Sequence, residues 1–564
     1  MQKRYIYLIL GLLSLSLACF DSKENPDRRP NILLITADDL GFSDLGCYGS
    51  EIRTPHIDAL ARSGTRGTSF YTSPVCSPTR AMLLTGVDNH RNGYGTMEGD
   101  WAPNQKGLQG YEGHLNFDVV TFPKLLADAG YHTSIAGKWH QSYPVTDRTL
   151  WPDQRGFNRS FTLLQGGAGH FGDRQLMFSF YQQTRYVEDA AYVDTLPPSF
   201  YSSDFYTNKV IEYIGESVSQ RKPFFSFLSY TAPHWPLQVP EEDMDLYHGQ
   251  YDVGYEMIAE QRLQFAKKLG ILPNHAVLPP LSPNVLPWSD LTDSERLRSS
   301  RTMEIYAAMV ERLDQNVGRL IDYLKSIGEF ENTLIVFMSD NGAEGNNVLG
   351  ILDTETWVNE TFDTSYTNMG RVNSYVYTGP SWAQVSSSIF RWYKGFASEG
   401  GVRCPVIFHH PSGAHQSEEI YSKFLSVMDL APTFLELAGV THPGRRYQDR
   451  KIFPMDGVSL LPWLEGRSSQ VHADDLSHCW ELYGRRGVRR GTWKAEWVEE
   501  PYGQGEWELF NLASDPSQQV NLASQERSQL EALVADWDLY AERCSLTLPN
   551  QKVAYGKETI WRKD

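Results

Sequence analysis

Four apolar segments of the chain are each followed by polar residues that could hold a metal ion or transfer a proton. Runs of this length and composition are typical of buried strands. The segments and their followers are Asn31–Ala37 (NILLITA) with Asp38 and Asp39, His132–Ala136 with Lys138 and His140, Pro223–Tyr230 with His234, and Thr333–Ser339 with Asp340 and Asn341. Ligands bind beyond the carboxyl ends of the strands in open α/β sheets, so we expect these residues to converge on one site.

Asp38, Asp39, Asp340 and Asn341 offer oxygen donors. Calcium and magnesium take oxygen ligands, whereas zinc in proteins prefers histidine or thiolate. An isolated Asp-Asp or Asp-Asn pair is more often a turn or a helix cap. Here both pairs end a predicted buried strand, and this placement favours a site for a hard divalent cation.

Cys76 begins the stretch Cys-Ser-Pro-Thr-Arg, which is followed by Thr85 and Gly86. Proline is tolerated in the first turn of a helix, so Cys76 is predicted at a helix N-terminus, where the helix dipole favours negative charge. Arg80, four residues on, lies on the same helix face. Both features would lower the pKa of the thiol and make it reactive. A buried structural cysteine at a helix start is the alternative interpretation.

The rest of the pattern alternates short apolar runs with helical periodicity, which predicts an α/β sheet flanked by helices. Helices are predicted over His56–Arg62, Phe122–Ala129 and Met303–Ile327, with Gly64, Gly130 and Gly328 at their ends. After residue 470, short strands are predicted over Trp493–Val498 and Trp507–Phe510 and an amphipathic helix over Ser528–Arg543. We therefore expect a main domain over 31–470 and a small C-terminal domain over 471–564.

The N-terminus has the pattern of a targeting segment. Lys3 and Arg4 precede an apolar run, Tyr5–Leu17, that is too short to span a membrane comfortably. Ala18 and Cys19 resemble a bacterial lipoprotein cleavage site, and ordinary signal-peptidase cleavage near Ala18 is the alternative. We expect a signal peptide over 1–18, a polar tether over 19–30, and an exported protein in the periplasm or on the cell surface, lipid-anchored at Cys19.

Composition narrows the class of protein. The chain has 564 residues, of which 41% are hydrophobic and 21% charged, as in ordinary globular proteins. Its net charge of -18 argues against a nucleic-acid partner, since such binders present a basic face. The 6 cysteines are scattered without a CxxC pair, so the sequence predicts no dense disulfide framework.

Cys76–Gly86 reads C-S-P-T-R-x-x-x-x-T-G and resembles the formylglycine signature of type I sulfatases at every defined position. Further blocks that resemble this family are NILLITADDLG, AGKWH, APHWPLQ, SDNGAEG, KGFASEGGVR and WELFNLASDP. Asn373–Gln384 is similar in particular to the bacterial arylsulfatase of the Pseudomonas type. The resemblance covers nearly the whole chain from Asn31. It implies an alkaline-phosphatase-like α/β sandwich, with a mostly parallel central sheet flanked by helices and a small C-terminal α+β domain on a short antiparallel sheet.

The resemblance also implies roles for individual residues. A formylglycine-generating maturation enzyme would convert Cys76 to an aldehyde, 3-oxoalanine, before folding is complete, and the aldehyde hydrate would attack the sulfur of the substrate. One Ca²⁺ would be held by Asp38, Asp39, Asp340, Asn341 and the modified Cys76. The other roles it implies are cations that hold nucleophile and sulfate (Arg80, Lys138), a base that collapses the sulfated hemiacetal (His140), and groups at the leaving oxygen (His234, Lys394), with His234 as proton donor.

The activity implied is that of a sulfuric ester hydrolase of the arylsulfatase type, acting on aryl, alkyl or carbohydrate sulfates. A formylglycine-dependent phosphodiesterase or phosphonate monoester hydrolase is the nearest alternative. The other is a lipoprotein that binds sulfated glycans without catalysis. Such a protein would be expected to lack Cys76, a metal-binding aspartate or Lys394, and all of these are present.

Overall fold

The computed structural model describes residues 29–350, 354–410 and 419–553. The predicted signal peptide and the predicted lipidation site at Cys19 lie outside these ranges, as does most of the predicted tether. Among the described residues, no helix has the length and apolar character needed to cross a bilayer. The cysteines of these ranges, Cys47, Cys76, Cys404, Cys479 and Cys544, are all free.

The strands of the described residues form one large sheet and two small ones. The large sheet contains β1 Asn31–Ala37, β2 Thr65–Tyr71, β3 His132–Lys138, β4 Arg159–Leu163, β5 Tyr186–Glu188, β6 Ala191–Val193, β7 Phe224–Ser229, β8 Thr333–Ser339, β9 Arg403–His409, β10 Glu419–Tyr421 and β11 Leu425–Ser426. Its order is β10-β2-β9-β8-β1-β7-β3-β4-β5-β6, with β11 also paired to β2. The strands from β8 to β4 in this order are parallel, and β9, β5 and β6 are antiparallel to their neighbours.

Helices cover both faces of the large sheet, and one further helix, Arg527–Arg543, packs on the C-terminal sheet. The helices of the described residues are α1 Pro55–Arg62, α2 Cys76–Thr85, α3 Asn89–Asn92, α4 Phe122–Asp128, α5 Ser202–Ser219, α6 Tyr255–Lys268, α7 Asp293–Ser326, α8 Thr354–Thr361, α9 Gly379–Ser386, α10 Glu399–Val402, α11 Leu430–Leu437, α12 Leu461–Leu464 and α13 Arg527–Arg543. Successive side chains of a strand point to opposite faces. Leu33 and Ile35 of β1 accordingly join the core under α1, α5 and α7, whereas Ile32 and Leu34 join the core under α2, α4 and α11. Burial on both faces explains the uninterrupted apolar runs of the central strands.

The carboxyl ends of β8, β1, β7 and β3 lie side by side in the middle of the sheet. Ala37 pairs with Ser339 of β8, and Thr36 and Gly137 both pair with Ser229 of β7. Because these parallel strands end level, the residues behind them emerge at one edge of the sheet. The predicted strands are confirmed, with one adjustment: Lys138 is the last residue of β3 instead of following it.

The longest helix, α7, begins at Asp293 instead of at the predicted Met303. A capping box fixes its start: Glu295 N–H donates to the Thr292 hydroxyl, and the Glu295 carboxylate accepts from the Thr292 N–H. The first turns are mostly exposed, so they carry none of the apolar periodicity on which the prediction depended.

The C-terminal part contains the four-stranded antiparallel sheet β14 Ser477–Leu482, β15 Arg485–Arg490, β16 Trp493–Trp497 and β17 Trp507–Asn511, covered by α13. A further pair, β12 Arg446–Tyr447 and β13 Arg450–Lys451, precedes it. The predicted α/β architecture with a small antiparallel C-terminal sheet is confirmed. β15 (RRGVRR) was not predicted because arginines conceal its strand pattern. Arg485 is buried, with its guanidinium 3.7 Å from the Phe396 ring centroid and its charge paired with Glu499.

A buried polar cluster joins the main domain to the C-terminal sheet. His90 Nδ1 contacts Asp88 Oδ1 at 3.2 Å, and His90 Nε2 contacts Glu481 Oε2 of β14 at 3.0 Å. The Tyr540 hydroxyl of α13 donates to Asp88 at 3.1 Å. Burial alone would lower the pKa of His90, but the hydrogen bonds to Asp88 and Glu481 raise it to about 9. The imidazolium therefore links Asp88 electrostatically to Glu481 of the C-terminal sheet.

This cluster makes the stability of the fold sensitive to alkaline pH. The pKa of His90 is raised from 6.5 to about 9 in the folded protein, so its contribution is complete below pH 6.5 and is lost as the pH rises through 9. Between pH 6.5 and about 9, the free energy of unfolding of the parent should decrease with pH. We expect this decrease to be a few kcal/mol larger than the decrease for His90→Gln over the same pH range. Urea unfolding at a series of pH values measures both. Parallel pH profiles for the two proteins would contradict the prediction.

Candidate active site

The sequence-predicted site residues converge at the carboxyl edge of the central strands. The structure brings together the whole predicted set: Asp38, Asp39, Cys76, Arg80, Lys138, His140, His234, Asp340, Asn341 and Lys394, all of them buried. Backbone hydrogen bonds align the loops that follow the strands. Asp38 N–H donates to Ala232 O, and Asp340 N–H donates to Ala37 O.

The acidic groups lie close enough to share one ion. One carboxylate oxygen each of Asp38 and Asp340 and the Sγ of Cys76 lie within 4.8 Å of one another. Asp39 accepts from the Asn341 amide at 2.7 Å. Asp39 itself has φ 64°, in the left-handed region, which aspartate and asparagine adopt more readily than most residues other than glycine. Residues in sparsely populated backbone regions often occur where they position a functional group.

A cation accompanies each of the carboxylates. Lys138 Nζ lies 2.8 Å from Asp38, and Lys394 Nζ lies 2.8 Å from Asp39. Arg80 donates to Asp340 at 2.9 Å through Nε. Although burial opposes ionisation, Arg80, Lys138 and Lys394 lower the pKa of Asp340 to about 2. Burial raises the pKa of Asp38 well above its usual value despite Lys138, so the neighbouring cations do not fully compensate this carboxyl.

These residues fit a hard divalent cation. The donors are carboxylate and amide oxygens, which calcium prefers. The Asn341 Oδ1 is buried and accepts no hydrogen bond within the described residues, although its amide nitrogen is bonded. Buried amide oxygens are rarely left without a partner. An oxygen-seeking ion between Asp38, Asp340 and Asn341 would satisfy this atom and offset the raised pKa of Asp38.

Cys76 is the first residue of α2, as predicted, and is 2% exposed. Val75 is the N-cap residue, and Gly86 ends the helix with φ 66°. Burial alone would raise the pKa of the thiol, but Lys138, His140 and Lys394 lower it to about 7. The site therefore favours negative charge on the side chain at position 76.

Arg80 and Lys394 reach the site by different routes. Arg80 lies one helical turn after Cys76, and its Nη1 donates to the Ser229 hydroxyl of β7 at 2.5 Å. Lys394 lies in a turn between α9 and α10. That turn is fixed by two backbone bonds, one from Lys394 N–H to Ala343 O and one from Gly395 N–H to Pro74 O.

His140 contacts Cys76 directly. Its Nδ1 lies 3.4 Å from Cys76 Sγ, and its Nε2 lies 2.5 Å from Glu98 Oε1. Burial would lower the pKa of His140, but Glu98 and an ionised Cys76 raise it to about 9. Beside a Cys76 thiolate, the ring is therefore favoured as an imidazolium.

His234 has the opposite electrostatic environment. Its Nδ1 donates to Trp235 O at 2.6 Å, and its Nε2 lies 3.5 Å from Asp39 Oδ2. Burial, together with Lys394 and Lys138, lowers the pKa of His234 well below its usual range. The two histidines thus have pKa values shifted in opposite directions, a pattern typical of distinct acid–base roles.

A cavity of about 620 Å³ opens onto Cys76, His140, His234 and Lys394. Aromatic and sulfur-containing side chains form much of its outer wall: Met97, Tyr143, Met177, Phe178, Phe180, Tyr181 and Trp235. The rings contact one another, with Phe178 stacked on Phe180 and edge-on to Trp235. The Trp235 Nε1 is buried and donates to no acceptor within the described residues. The cavity can therefore hold an apolar group against this wall.

Sequence reasoning missed three features of this site. Glu344, which pairs with Lys394 at 3.2 Å, stands inside the SDNGAEG block and could have been included with it. The aromatic wall comes from a loop region with no strand or helix pattern. Glu98 lies in another such loop, and no spacing in the sequence relates it to His140.

The chain resembles known proteins over almost its whole length. Residues 30–440 match the family described as Sulfatase, and residues 389–537 match the domain described as N-sulphoglucosamine sulphohydrolase, C-terminal. An uncharacterized sulfatase of Schizosaccharomyces pombe is 42% identical over 547 residues, covering 94% of this chain and 97% of the relative. The arylsulfatase of Klebsiella aerogenes is 38% identical over 436 residues, covering 77% and 91% of the two chains.

The solved structures agree with this relationship. Ps i-CgsB, crystallised in complex with k-i-k-neocarrahexaose, matches with a TM-score of 0.64 at 25% identity, covering 93% of this chain and 95% of the other.

Proposed function

Because this chain belongs to the sulfatase family and hydrolyses sulfate esters, we propose that its nucleophile is a formylglycine hydrate made from Cys76. Its fold is the alkaline-phosphatase-like α/β sandwich. The observation that carries the proposal is the position of Cys76, the first residue of a buried helix at the inner end of the cavity, among cations that favour negative charge there. The hydrate would supply two hydroxyls on one carbon, one to attack sulfur and one whose deprotonation releases sulfate.

We propose that one calcium ion binds between Asp38, Asp39, Asp340 and Asn341, with an oxygen of the modified residue 76 as a further ligand. The unpartnered Asn341 Oδ1 and the clustered carboxylates support this assignment. Bound calcium would polarise the sulfate oxygens and favour the ionised hydrate.

The protein's own side chains would supply binding and proton transfer. Arg80 and Lys138 flank residue 76 and would hold the nucleophile and the anionic sulfate. His140 Nδ1, 3.4 Å from the Cys76 side chain, is placed to take a proton from a hydroxyl at that position. His234 and Lys394 lie at the cavity side of the site, where the alcohol would depart.

The cavity wall supports a compact, largely apolar alcohol. Aromatic rings pack well against aryl and alkyl groups. Arg185 is the only arginine among the residues lining this cavity, which also include the carboxylates Glu98 and Glu344. A highly sulfated oligosaccharide would meet few cations there. We therefore propose aryl or alkyl monosulfates as preferred substrates, which competition between nitrophenyl sulfate and a sulfated disaccharide would test.

The leaving-group dependence of turnover tests the proposed role of His234. An electron-poor phenol leaves readily as an anion, whereas an alkyl or sugar alcohol needs a proton. General acid catalysis contributes roughly 10²–10⁴-fold. His234→Ala should therefore cost far more on an alkyl sulfate than on nitrophenyl sulfate, measured as kcat/KM over esters of graded leaving-group pKa. Burial, Lys394 and Lys138 lower the pKa of His234, and the negative charge of a bound ester would act in the opposite direction and favour its protonation.

Lys394→Ala is the matched comparison, because Lys394 lies in the same cavity. If leaving-group dependence steepens for Lys394→Ala and not for His234→Ala, the proton donor is Lys394.

We also propose, from the N-terminal sequence alone, that the protein is exported and lipid-anchored at Cys19, and that a formylglycine-generating enzyme matures it. Membrane fractionation of the native host tests the anchor.

A further inference from the structure

Glu98 carries a partly buried carboxylate and belongs to none of the motifs found in the sequence. It lies in the loop that follows α3 and forms part of the cavity wall. Its Oε1 accepts from His140 Nε2 at 2.5 Å, and its Oε2 accepts from the Ser77 hydroxyl at 3.2 Å. Its side chain is 15% exposed. Charge-assisted hydrogen bonds of this length are among the strong ones in proteins.

Glu98, His140 and Cys76 form a linear chain of contacts. The Nε2 of His140 faces Glu98, and the Nδ1 faces Cys76 Sγ at 3.4 Å. This is the order nucleophile, imidazole, carboxylate, in which the carboxylate fixes the tautomer and the orientation of the ring. Among the described residues, His140 Nε2 has no acceptor other than Glu98.

Other residues hold the backbone of His140, whereas Glu98 is the hydrogen-bond partner of its ring Nε2. The Tyr94 hydroxyl and the Gln141 amide both donate to His140 O, at 3.1 and 2.7 Å. His140 has φ 54°, so its backbone is held in the left-handed region. A Cβ at Gly166 would lie 2.7 Å from the ring, so only glycine leaves space for the imidazole there. These contacts fix where the ring lies, but not which nitrogen points to residue 76.

We propose that Glu98 is a positioning residue for sulfate ester hydrolysis. By accepting Nε2–H, it holds His140 with Nδ1 directed at residue 76, ready to take the proton of a hydroxyl there. The inference rests on the role proposed for His140. Glu98 lines the cavity, but its hydrogen bonds go to His140 and Ser77 and none goes to Cys76. We therefore infer that its effect on residue 76 passes through the ring.

A double-mutant cycle on kcat tests whether Glu98 acts through His140. Removing a side chain that orients a functional histidine typically costs 10–100-fold. We expect Glu98→Ala to lower kcat by roughly 10–100-fold with KM changed by less than about twofold. Glu98→Ala/His140→Ala should be no slower than His140→Ala alone, because the two residues act as one unit. Losses that multiply would overturn the proposal.

Two variants separate positioning from a structural role. Glu98→Gln keeps an acceptor for His140 Nε2–H and should recover most of kcat. Ser77→Ala removes only the other hydrogen bond of Glu98 and should leave kcat per converted residue 76 close to that of the parent. Because Ser77 belongs to the Cys76–Gly86 signature, the converted fraction of each variant is measured by mass spectrometry. A Glu98→Gln variant as slow as Glu98→Ala would show that an acceptor at this position is insufficient.

The orientation of the ring gives a readout independent of turnover. Crystal structures of the unconverted Cys76 protein should show His140 Nδ1 turned away from Sγ in Glu98→Ala and unmoved in Ser77→Ala and Glu98→Gln. An unmoved ring in Glu98→Ala refutes the positioning role. Full activity of His140→Ala would instead refute the proposed role of His140, and the crystal structures would still decide what Glu98 does.

Discussion

Cys76→Ala is expected to lower kcat for nitrophenyl sulfate by about 10⁶-fold, the scale seen when a nucleophile is removed from an enzyme whose catalytic groups act together. The fold should survive, because the substitution only shortens a side chain at the first position of α2. Steady-state kinetics on pure protein, with circular dichroism as a check of folding, measure both.

Cys404→Ala is the matched control. Cys404 is also a fully buried free thiol, but it lies on β9 outside the cavity. It should keep parental kcat, apart from any loss of stability. A mass spectrum of the peptide Gly67–Arg80 completes the test by showing whether residue 76 carries a thiol or an aldehyde. Substantial turnover by Cys76→Ala protein would refute the nucleophile assignment.

Removal of the metal is expected to produce the second large effect. Protein purified without chelator should contain about one calcium per chain. Chelation should lower kcat by on the order of 10³-fold, since a bound cation contributes several kcal/mol of transition-state stabilisation. Added calcium should restore it. Elemental analysis and kinetics on the same samples measure the two quantities.

Substitutions locate the ion. Asp340→Asn should lose calcium, whereas Asp314→Asn should retain it, because the buried Asp314 carboxylate accepts from the backbone N–H of Ile57 far from the cluster. The chelated protein should stay folded, since Lys138, Lys394 and Arg80 already pair with the carboxylates. Two zinc ions in place of one calcium would contradict the assignment.

Most residues of the acidic cluster could be predicted from the sequence because they directly follow buried strands. β1 and β8 are buried on both faces, so their apolar runs mark each strand to the residue. The polar pairs behind them, Asp38-Asp39 and Asp340-Asn341, then had to meet at one edge of a parallel sheet. Lys394 was accessible only through resemblance, because a turn held by Ala343 O and Pro74 O brings it in from far along the chain.

The aromatic wall of the cavity could not be predicted from hydrophobic periodicity in the sequence. Phe178 and Trp235 come together through loops, whose path depends on tertiary packing and not on a repeating period. The pairing of Glu98 with His140 has the same origin. β15 was not predicted for a different reason. Its arginines are buried or half-buried, and Arg485 stacks on Phe396 and pairs with Glu499, so charge in this strand does not indicate full exposure.

The burial of Cys76 has a consequence for how a batch of this protein can be interpreted. The cavity admits a small ester to residue 76, but all ten residues of α2 are buried, so a second enzyme could not enclose this segment once the chain has folded. The proposed conversion of Cys76 would then have to precede the completion of folding, and a chain that folded unconverted would stay so. Specific activity would record the supply of the maturation enzyme at the time of expression. When preparations or variants are compared, the measured rate should therefore be divided by the concentration of titrated active sites and not by the mass of protein.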